Sequence, residues 1–532
     1  MHSYVAHDTQ ADLDPPRDTS GMGGEGRFAL TVCAVFAVVV GTGLFNHEMW
    51  RDELQAWLLA RAATSVPDLI HLTGVEGHPA LWHLLLYPLT RVTGNPLTMQ
   101  ALHLVLATGA VYVMARFSPF PRWQRILLAG SYFLAFEFAV LSRGYVLGAL
   151  ALFSICAAFP LRRRSYLPLG FLLVLLANTS VYGLILAFAV GTCLVVDAWV
   201  EWRGWVQLRG RMPILAAVLV LAGALLSVSQ ILAEKTPASG DRTGYGNPVV
   251  PSVEWRAAES ISVVARSWLP VPDIGSPELW NTSIFISGGR YALVSAAVLS
   301  IALLILVAGS LLERPVALVL LGTGTAAIVA LAFMYHLGGM RHYGHIFRLL
   351  VASLWLGRTT RRIQIAARPG RVVGVLQGWA HVIFAVILVT QLGVAVLFFS
   401  LDARLPFSGS RATADYLAAM DAGKLLKVST HSVGLPVAGY LQEPLYYMHS
   451  RQFGTYADWR LPWRAPEDAL PALEEVVRAG GYQDVIIVTG RPVVEWLQSG
   501  AHQGWKFDEI MRIDNAMIRS ESFIVYRARP DR

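Results

Sequence analysis

The chain has 532 residues, of which 55% are hydrophobic and only 15% charged. A soluble globular protein carries about 25% charge. Here the apolar residues come in blocks of roughly 15 to 28, long enough to cross a hydrocarbon core about 30 Å thick, which excludes a soluble enzyme. The net charge of +7 does not point to nucleic acid, because much of it lies in short segments between apolar blocks, where positive charge sets membrane orientation.

Residues 1–27 are polar and Gly-rich and read as a disordered cytoplasmic tail. The apolar run 28–46 is longer than a signal-peptide core of about 7–15 residues, and no small-x-small cleavage site follows, so it reads as a retained first span. Directly after it comes NHEMWRDELQAWLLARAA (46–63), whose Leu54, Trp57, Leu58 and Arg61 fit a helix lying along the interface. Residues 79–92 are apolar but short, with Pro79 and Pro88, and are expected as a partly inserted or surface-lying helix. The remaining expected spans are 96–115, 124–141, 143–160, 165–178, 180–200, 212–232, 286–310, 315–337, 342–357 and 373–400. With 28–46 this makes a mainly α, polytopic membrane protein of about eleven crossings.

Basic residues gather in Arg162-Arg163-Arg164, in Arg203 to Arg211, in Arg358 to Arg371 and around Arg116, Arg122 and Arg125. These should be cytoplasmic. Counting outward, 47–95, 233–285 and the C-terminal segment 401–532 face outside. In 233–285, Trp255, Trp268 and Trp280 are spaced as interfacial anchors, and 252–269 is expected as a helix on the membrane or part of a gating loop. After 401 the composition becomes charged. Residues 424–430, 484–489 and 522–528 read as strands, and 411–420 and 466–480 as amphipathic helices, making a small extracytoplasmic α/β domain. Cys33, Cys156 and Cys193 lie inside apolar runs and read as small packing residues rather than disulfide halves. Lys occurs only at 235, 424, 427 and 506, a bias toward Arg that suggests a GC-rich bacterial genome and hence a bacterial cytoplasmic membrane.

Four clusters fall on the same expected face. Asp52 and Glu53 open the helix after the first span. Their presence there is explained equally by chemistry and by the helix dipole, which favours early acidic residues by about 0.3–1 kcal/mol. Glu76 and His78 lie in GVEGHPALWH (74–83), where His83 reads as an exposed surface histidine. Arg143, with Tyr145 beside it, lies in LSRGYVL (141–147), where snorkelling to headgroups is the competing explanation. Arg341, His342 and Tyr343 lie in HLGGMRHYGHIFR (336–348), behind two glycines that allow close backbone approach. The arginines suit phosphate through their forked donors, and a carboxylate nearby suits a general base. His47, Glu48, Asp52, Glu53, His71, Glu76 and His78 also offer metal ligands, and a divalent cation stays open, but no metal motif is present.

The acidic pair after the first span, the GHPALW run, the SRGY turn and the RHYG span entrance resemble the GT-C superfamily of glycosyltransferases. The branch most similar is that of protein O-mannosyltransferases and aminoarabinose transferases. The resemblance covers roughly 28–400, and Ala80 stands where that branch commonly has a second proline. It implies a GT-C-like fold and a hexosyl- or pentosyltransferase using a polyprenyl-phosphate-linked sugar, with inversion. It further implies that Asp52 activates the acceptor, that Glu53 is its paired neighbour, that Glu76 is a second acid of the pocket, and that Arg143 and Arg341 meet the lipid phosphate. The acceptor, whether protein, lipid or polysaccharide, is left open. So are two other classes: a transporter or flippase of a lipid-linked glycan, which Glu137 inside an apolar run keeps in play, and a non-catalytic envelope assembly protein.

Overall fold

The computed structural model of the chain describes residues 22–200, 211–232, 252–335, 338–363, 367–420, 425–458, 460–461, 466–490 and 504–530. Expectations for Arg203, Lys235, His336 and Lys424 fall outside them.

The apolar blocks fold as helices, the one way a single segment can satisfy its own backbone groups in hydrocarbon. In chain order these are α1 (Met22–Asn46), α2 (Arg51–Ala62), α3 (Val66–Thr73), α4 (Leu81–Val92), α5 (Leu97–Phe117), α6 (Arg122–Ala129), a π-helical turn (Tyr132–Glu137), α7 (Tyr145–Ala158), α8 (Leu167–Ala177) and α9 (Val181–Val200). They continue as α10 (Arg211–Leu232), α11 (Val253–Trp268), α12 (Ile284–Ser287), α13 (Gly289–Ser310), α14 (Pro315–Met334), α15 (Met340–Thr359) and α16 (Ala367–Asp402). Among the described residues, eight helices are long and apolar enough to cross a membrane: Gly23–Asn46, Leu97–Phe117, Tyr145–Arg163, Val181–Val200, Arg211–Leu232, Gly289–Ser310, Pro315–Met334 and Arg371–Asp402.

The other three expected spans take different forms. Residues 124–141 divide into α6 and the π-helical turn, separated at Gly130 and Ser131. Residues 165–178 yield α8, only 11 residues long. Residues 342–357 lie within α15, which is 20 residues long but carries Arg341, His342, His345, Arg348 and Arg358. Protein rather than lipid surrounds α15, since 16 of its residues are buried. Its approach to the π-helical turn is close. A Cβ built on Gly344 would stand 2.5 Å from ring atoms of both Phe133 and Phe138.

The helical bundle has two chemically distinct ends. At one, Glu25 pairs with Arg122 and Arg125 at 2.8 and 2.7 Å, Arg162 with Asp197 at 2.5 Å, and Arg362 with Glu313 at 2.5 Å. At the other, α2, α3 and α4 meet a C-terminal sheet domain. That domain contains α17 (Ser410–Ala418), β1 (Leu425–Ser429), α18 (Leu435–Leu441), β2 (Leu445–Tyr447), β3 (Gln452–Gly454), α19 (Pro466–Gly480), β4 (Asp484–Thr489), β5 (Trp505–Ile513) and β6 (Phe523–Pro530). Its sheet order is β3-β2-β1-β4-β6-β5. The β1 strand pairs in parallel with β2 and β4, and the remaining pairings are antiparallel. The three strands and two helices read from the sequence are all present; β2, β3 and β5 are additional.

Three local expectations are corrected. α1 begins at Met22, so the tail does not extend to residue 27. Trp268 and Trp280 are not interfacial anchors: both are buried in the main core, and the Trp280 indole donates to Glu137 at 3.2 Å. His83 is buried rather than exposed, because α4 packs against α2 instead of lying on a surface.

Gly344→Ala should destabilise the bundle by about 1–3 kcal/mol, the cost of overpacking a tight contact. Gly393→Ala, where nothing lies within 4 Å of the added Cβ, should be neutral or slightly stabilising. Thermal unfolding in detergent compares the two, and an unchanged midpoint for Gly344→Ala would contradict the close approach.

Candidate active site

The site is built on the corner where α1 turns into α2. Only residues 47–50 separate these helices, and the corner is held by side chains from distant segments. The buried His47 imidazole lies between two carboxylates. Its Nε2 is 2.9 Å from Glu53 Oε2 and its Nδ1 is 3.1 Å from Asp402 Oδ2. Glu53 also accepts from the Trp50 N–H at 3.2 Å and from the Ser142 N–H at 2.6 Å. It therefore satisfies a free donor at the start of α2 and fixes the 139–143 turn at the same time. His103 holds that turn from the other side, against the Ala139 and Arg143 carbonyls at 3.1 and 3.0 Å.

The sheet domain supplies the remaining partners of the corner. The Met49 N–H donates to Tyr440 Oη at 2.7 Å, the Ser410 hydroxyl donates to the Met49 carbonyl at 3.3 Å, and the Arg411 guanidinium donates to the His47 carbonyl at 3.3 Å. The Arg51 N–H donates to Glu521 Oε1 at 3.0 Å. Burial pushes the Glu521 carboxyl up to about 7, against the opposing pull of Arg51.

Beside this corner lies a cavity of about 370 Å³ lined by Arg51, Asp52, Gln55, Val75, Glu76, His78, Arg143, Val181, Tyr182, Leu331, Arg341 and His342. Asp52 is its electrostatic centre. Its Oδ2 accepts from Arg143 Nη1 and lies 3.2 Å from Arg341 Nη2, while Oδ1 lies 3.6 Å from Arg51 Nε. Burial would raise the Asp52 carboxyl, but Arg143, Arg341 and Arg51 together hold it well below the usual carboxylate range. Both arginines are backed by aromatic faces: Arg143 by Tyr145 at 5.3 Å, and Arg341 by Trp50 and Trp280 at 5.4 and 5.8 Å. The left-handed backbone at Gly77, φ 67°, turns the chain between Glu76 and His78 so that both reach the cavity. Burial, reinforced by Arg143 and Arg341, pushes His78 down to about 4, so it is neutral near pH 7.

Six of the nine sequence-derived candidates thus line one cavity: Asp52, Glu76, His78, Arg143, Arg341 and His342. The other three lie behind its walls. Glu53 is sealed in the corner with His47. Tyr145 is buried beneath Arg143, with its ring edge-on to His78 and His342 at 6.4 and 6.0 Å. Tyr343 points away, donating its hydroxyl to the Gly338 carbonyl at 2.8 Å under the Arg266 guanidinium. Among the described residues, no three His, Cys, Asp or Glu side chains come together as a metal site.

No family model and no characterised protein sequence matches the chain at a significant level.

Sequence reasoning missed Arg51, Gln55 and Tyr182 as lining residues. Gln55 had a signal: it is the polar residue one helical turn beyond Asp52 on a helix that is otherwise buried there. Tyr182 had none, because an aromatic at the start of an apolar run is ordinary; its ring stacks on His342 at 5.3 Å.

His47 is raised to about 10 from an ordinary 6.5, because Asp402 and Glu53 outweigh the opposing effect of burial. Its contribution to stability is therefore complete below about pH 6.5 and lost as pH rises through about 10. The unfolding midpoint in detergent should fall over that interval. Replacing His47 by Leu should cost about 3–5 kcal/mol by leaving two buried carboxylates unpaired, and should remove most of the alkaline decline. A wild-type midpoint flat to pH 10 would contradict the protonated bridge.

Proposed function

We propose that the protein is a GT-C-like membrane glycosyltransferase. It moves a sugar from a polyprenyl-phosphate donor to an acceptor on the outer face of a bacterial cytoplasmic membrane, with inversion at the anomeric carbon. The observation that carries this reading is the convergence of Arg143 and Arg341 on the Asp52 carboxylate in one cavity. Forked guanidinium donors suit a phosphate, and an acceptor hydroxyl needs a carboxylate within reach. The apolar lining from Val181 and Leu331 suits the first part of a lipid tail.

Orientation supports the same reading. The ion-paired basic segments around Arg122, Arg162 and Arg362 are at the end of the bundle opposite the cavity. The positive-inside rule then turns the cavity and the sheet domain away from the cytoplasm. The α6–π segment, α8 and α15 are taken as three further crossings beside the eight long apolar helices, for eleven in all.

Asp52 serves as counter-ion to the arginines, which makes it a weak base. An arriving donor phosphate competes for those same guanidinium groups. Once Arg143 and Arg341 turn to the phosphate, Asp52 keeps only Arg51 and gains basicity next to the acceptor. The acceptor oxygen attacks the anomeric carbon and its proton passes to the carboxylate. The bond from that carbon to the phosphate oxygen breaks, and polyprenyl phosphate leaves with the electron pair, its charge stabilised by Arg143 and Arg341. His78, neutral and beside both arginines, adds a hydrogen-bonding group without competing for the anion.

Transfer from radiolabelled polyprenyl-phosphate sugars by the purified protein tests this. Asp52→Asn should reduce the rate by at least about 100-fold, within the range attributed to general-base catalysis. Arg341→Ala should weaken donor binding. Equal transfer by wild type and Asp52→Asn would overturn the role of Asp52. Movement of a lipid-linked glycan across vesicles with no new glycosidic bond would favour a transporter instead.

A further inference from the structure

Gln55 is 4% exposed and its amide is fully engaged. Oε1 accepts from the Ala457 N–H at 3.0 Å. Nε2 donates to the Ala457 carbonyl at 2.8 Å and to Glu76 Oε1 at 2.9 Å. A primary amide has two N–H donors and one carbonyl acceptor, so this network fixes its orientation. Flipping the amide would set its oxygen against both the Ala457 carbonyl and the Glu76 carboxylate.

Ala457 belongs to the segment after β3, so the group that touches Glu76 is itself held by the sheet domain. The same segment is anchored on either side. Tyr456 packs with the cluster around Leu54, Trp57 and Leu58, and Arg460, paired with Asp458, donates to His71 Nε2 at 2.6 Å on α3.

We propose that Gln55 is a positioning residue through which the sheet domain orients the Glu76 carboxylate in the cavity and keeps it charged. The proposal rests on the transferase reading of that cavity and gives the sheet domain a part in it. A fixed amide donor stabilises a carboxylate over its protonated form. Glu76 lies on a turn rather than within a helix, so its direction depends on such external partners. Because Ala457 holds one of the two Nε2 protons, domain docking fixes where the other one points. Undocking would release Gln55 and, with it, a hydrogen bond to an acidic group of the pocket.

The test needs no turnover. Carbodiimide with an amine probe labels protonated carboxyls, and mass spectrometry reads the label on Glu76 in detergent-solubilised, substrate-free protein. At about pH 5.5, Gln55→Met should raise Glu76 labelling about threefold or more, the effect of losing one hydrogen bond to a carboxylate. Gln55→Glu, which brings a second carboxylate beside the first, should raise it further. Labelling at about pH 7.5 separates protonation from opening, since greater exposure raises both pH values alike whereas loss of the donor raises the acidic one selectively. Glu76 labelling that stays at the wild-type level in the folded variants, or rises equally at both pH values, would overturn the proposal. Absence of sugar transfer by the wild type would instead overturn the transferase reading, leaving the labelling comparison to decide the role of Gln55.

Discussion

The protonated His47 between Glu53 and Asp402 is the interaction on which the site depends. A carboxylate taken out of water costs several kcal/mol unless paired. Here two of them share one cation, joining the end of α1, the start of α2 and the end of α16. The bridge fixes the angle at which α2 leaves the bundle, and α2 carries Arg51, Asp52 and Gln55 into the cavity. Through the Ser142 N–H, the same Glu53 sets the turn that presents Arg143. An error in this corner would therefore move both members of the Asp52–Arg143 pair.

A second constraint follows from the shortness of the corner. Its few residues have polar backbone groups and no helix of their own to satisfy them, and buried donors and acceptors must find partners. They find them on the sheet domain, in Tyr440, Ser410 and Arg411, and Glu521 does the same for the Arg51 N–H that opens α2. The domain is thus bonded into the wall of the cavity. Leu435 of α18 and Ala457 join the apolar cluster beneath α2, so apolar burial and backbone pairing hold the docked position together.

Much of the fold was legible because bilayer length and helix period impose strong patterns. The long apolar runs, the strands 484–489 and 522–528 and helix 466–480 declared themselves in this way. The pattern is weaker where protein takes the place of lipid. In α15, arginines and histidines are tolerated because neighbouring helices surround them, as where the Arg348 guanidinium donates to the Tyr145 carbonyl at 2.7 Å. Trp280 was misread for a related reason: the spacing of an aromatic gives no sign of whether its indole meets headgroups or Glu137. The cavity was legible in its charged residues other than Arg51, since charges have few places to go near a membrane. It was not legible in Tyr182, whose ring meets His342, and Gln55 showed only its helical spacing from Asp52, its role coming from the distant Ala457.

The acidic pair illustrates how local geometry divides a motif. Successive residues on an α-helix point about 100° apart, and here that turn sends the two carboxylates to different partners. Asp52 faces the cavity and its arginines. Glu53 faces the corner, where it is fully buried against His47 and closes the first turn of α2. The sequence offered two explanations for the pair, chemistry and helix-start electrostatics, as though one had to be chosen. Each applies to a different residue. Asp52 has the exposure, the neighbours and the cavity that a reacting or counter-ion group requires. Glu53 performs the helix-start role in a buried form, satisfying backbone donors on α2 and on the turn that carries Arg143. Its contribution to chemistry is therefore indirect: it determines where Asp52 and Arg143 meet.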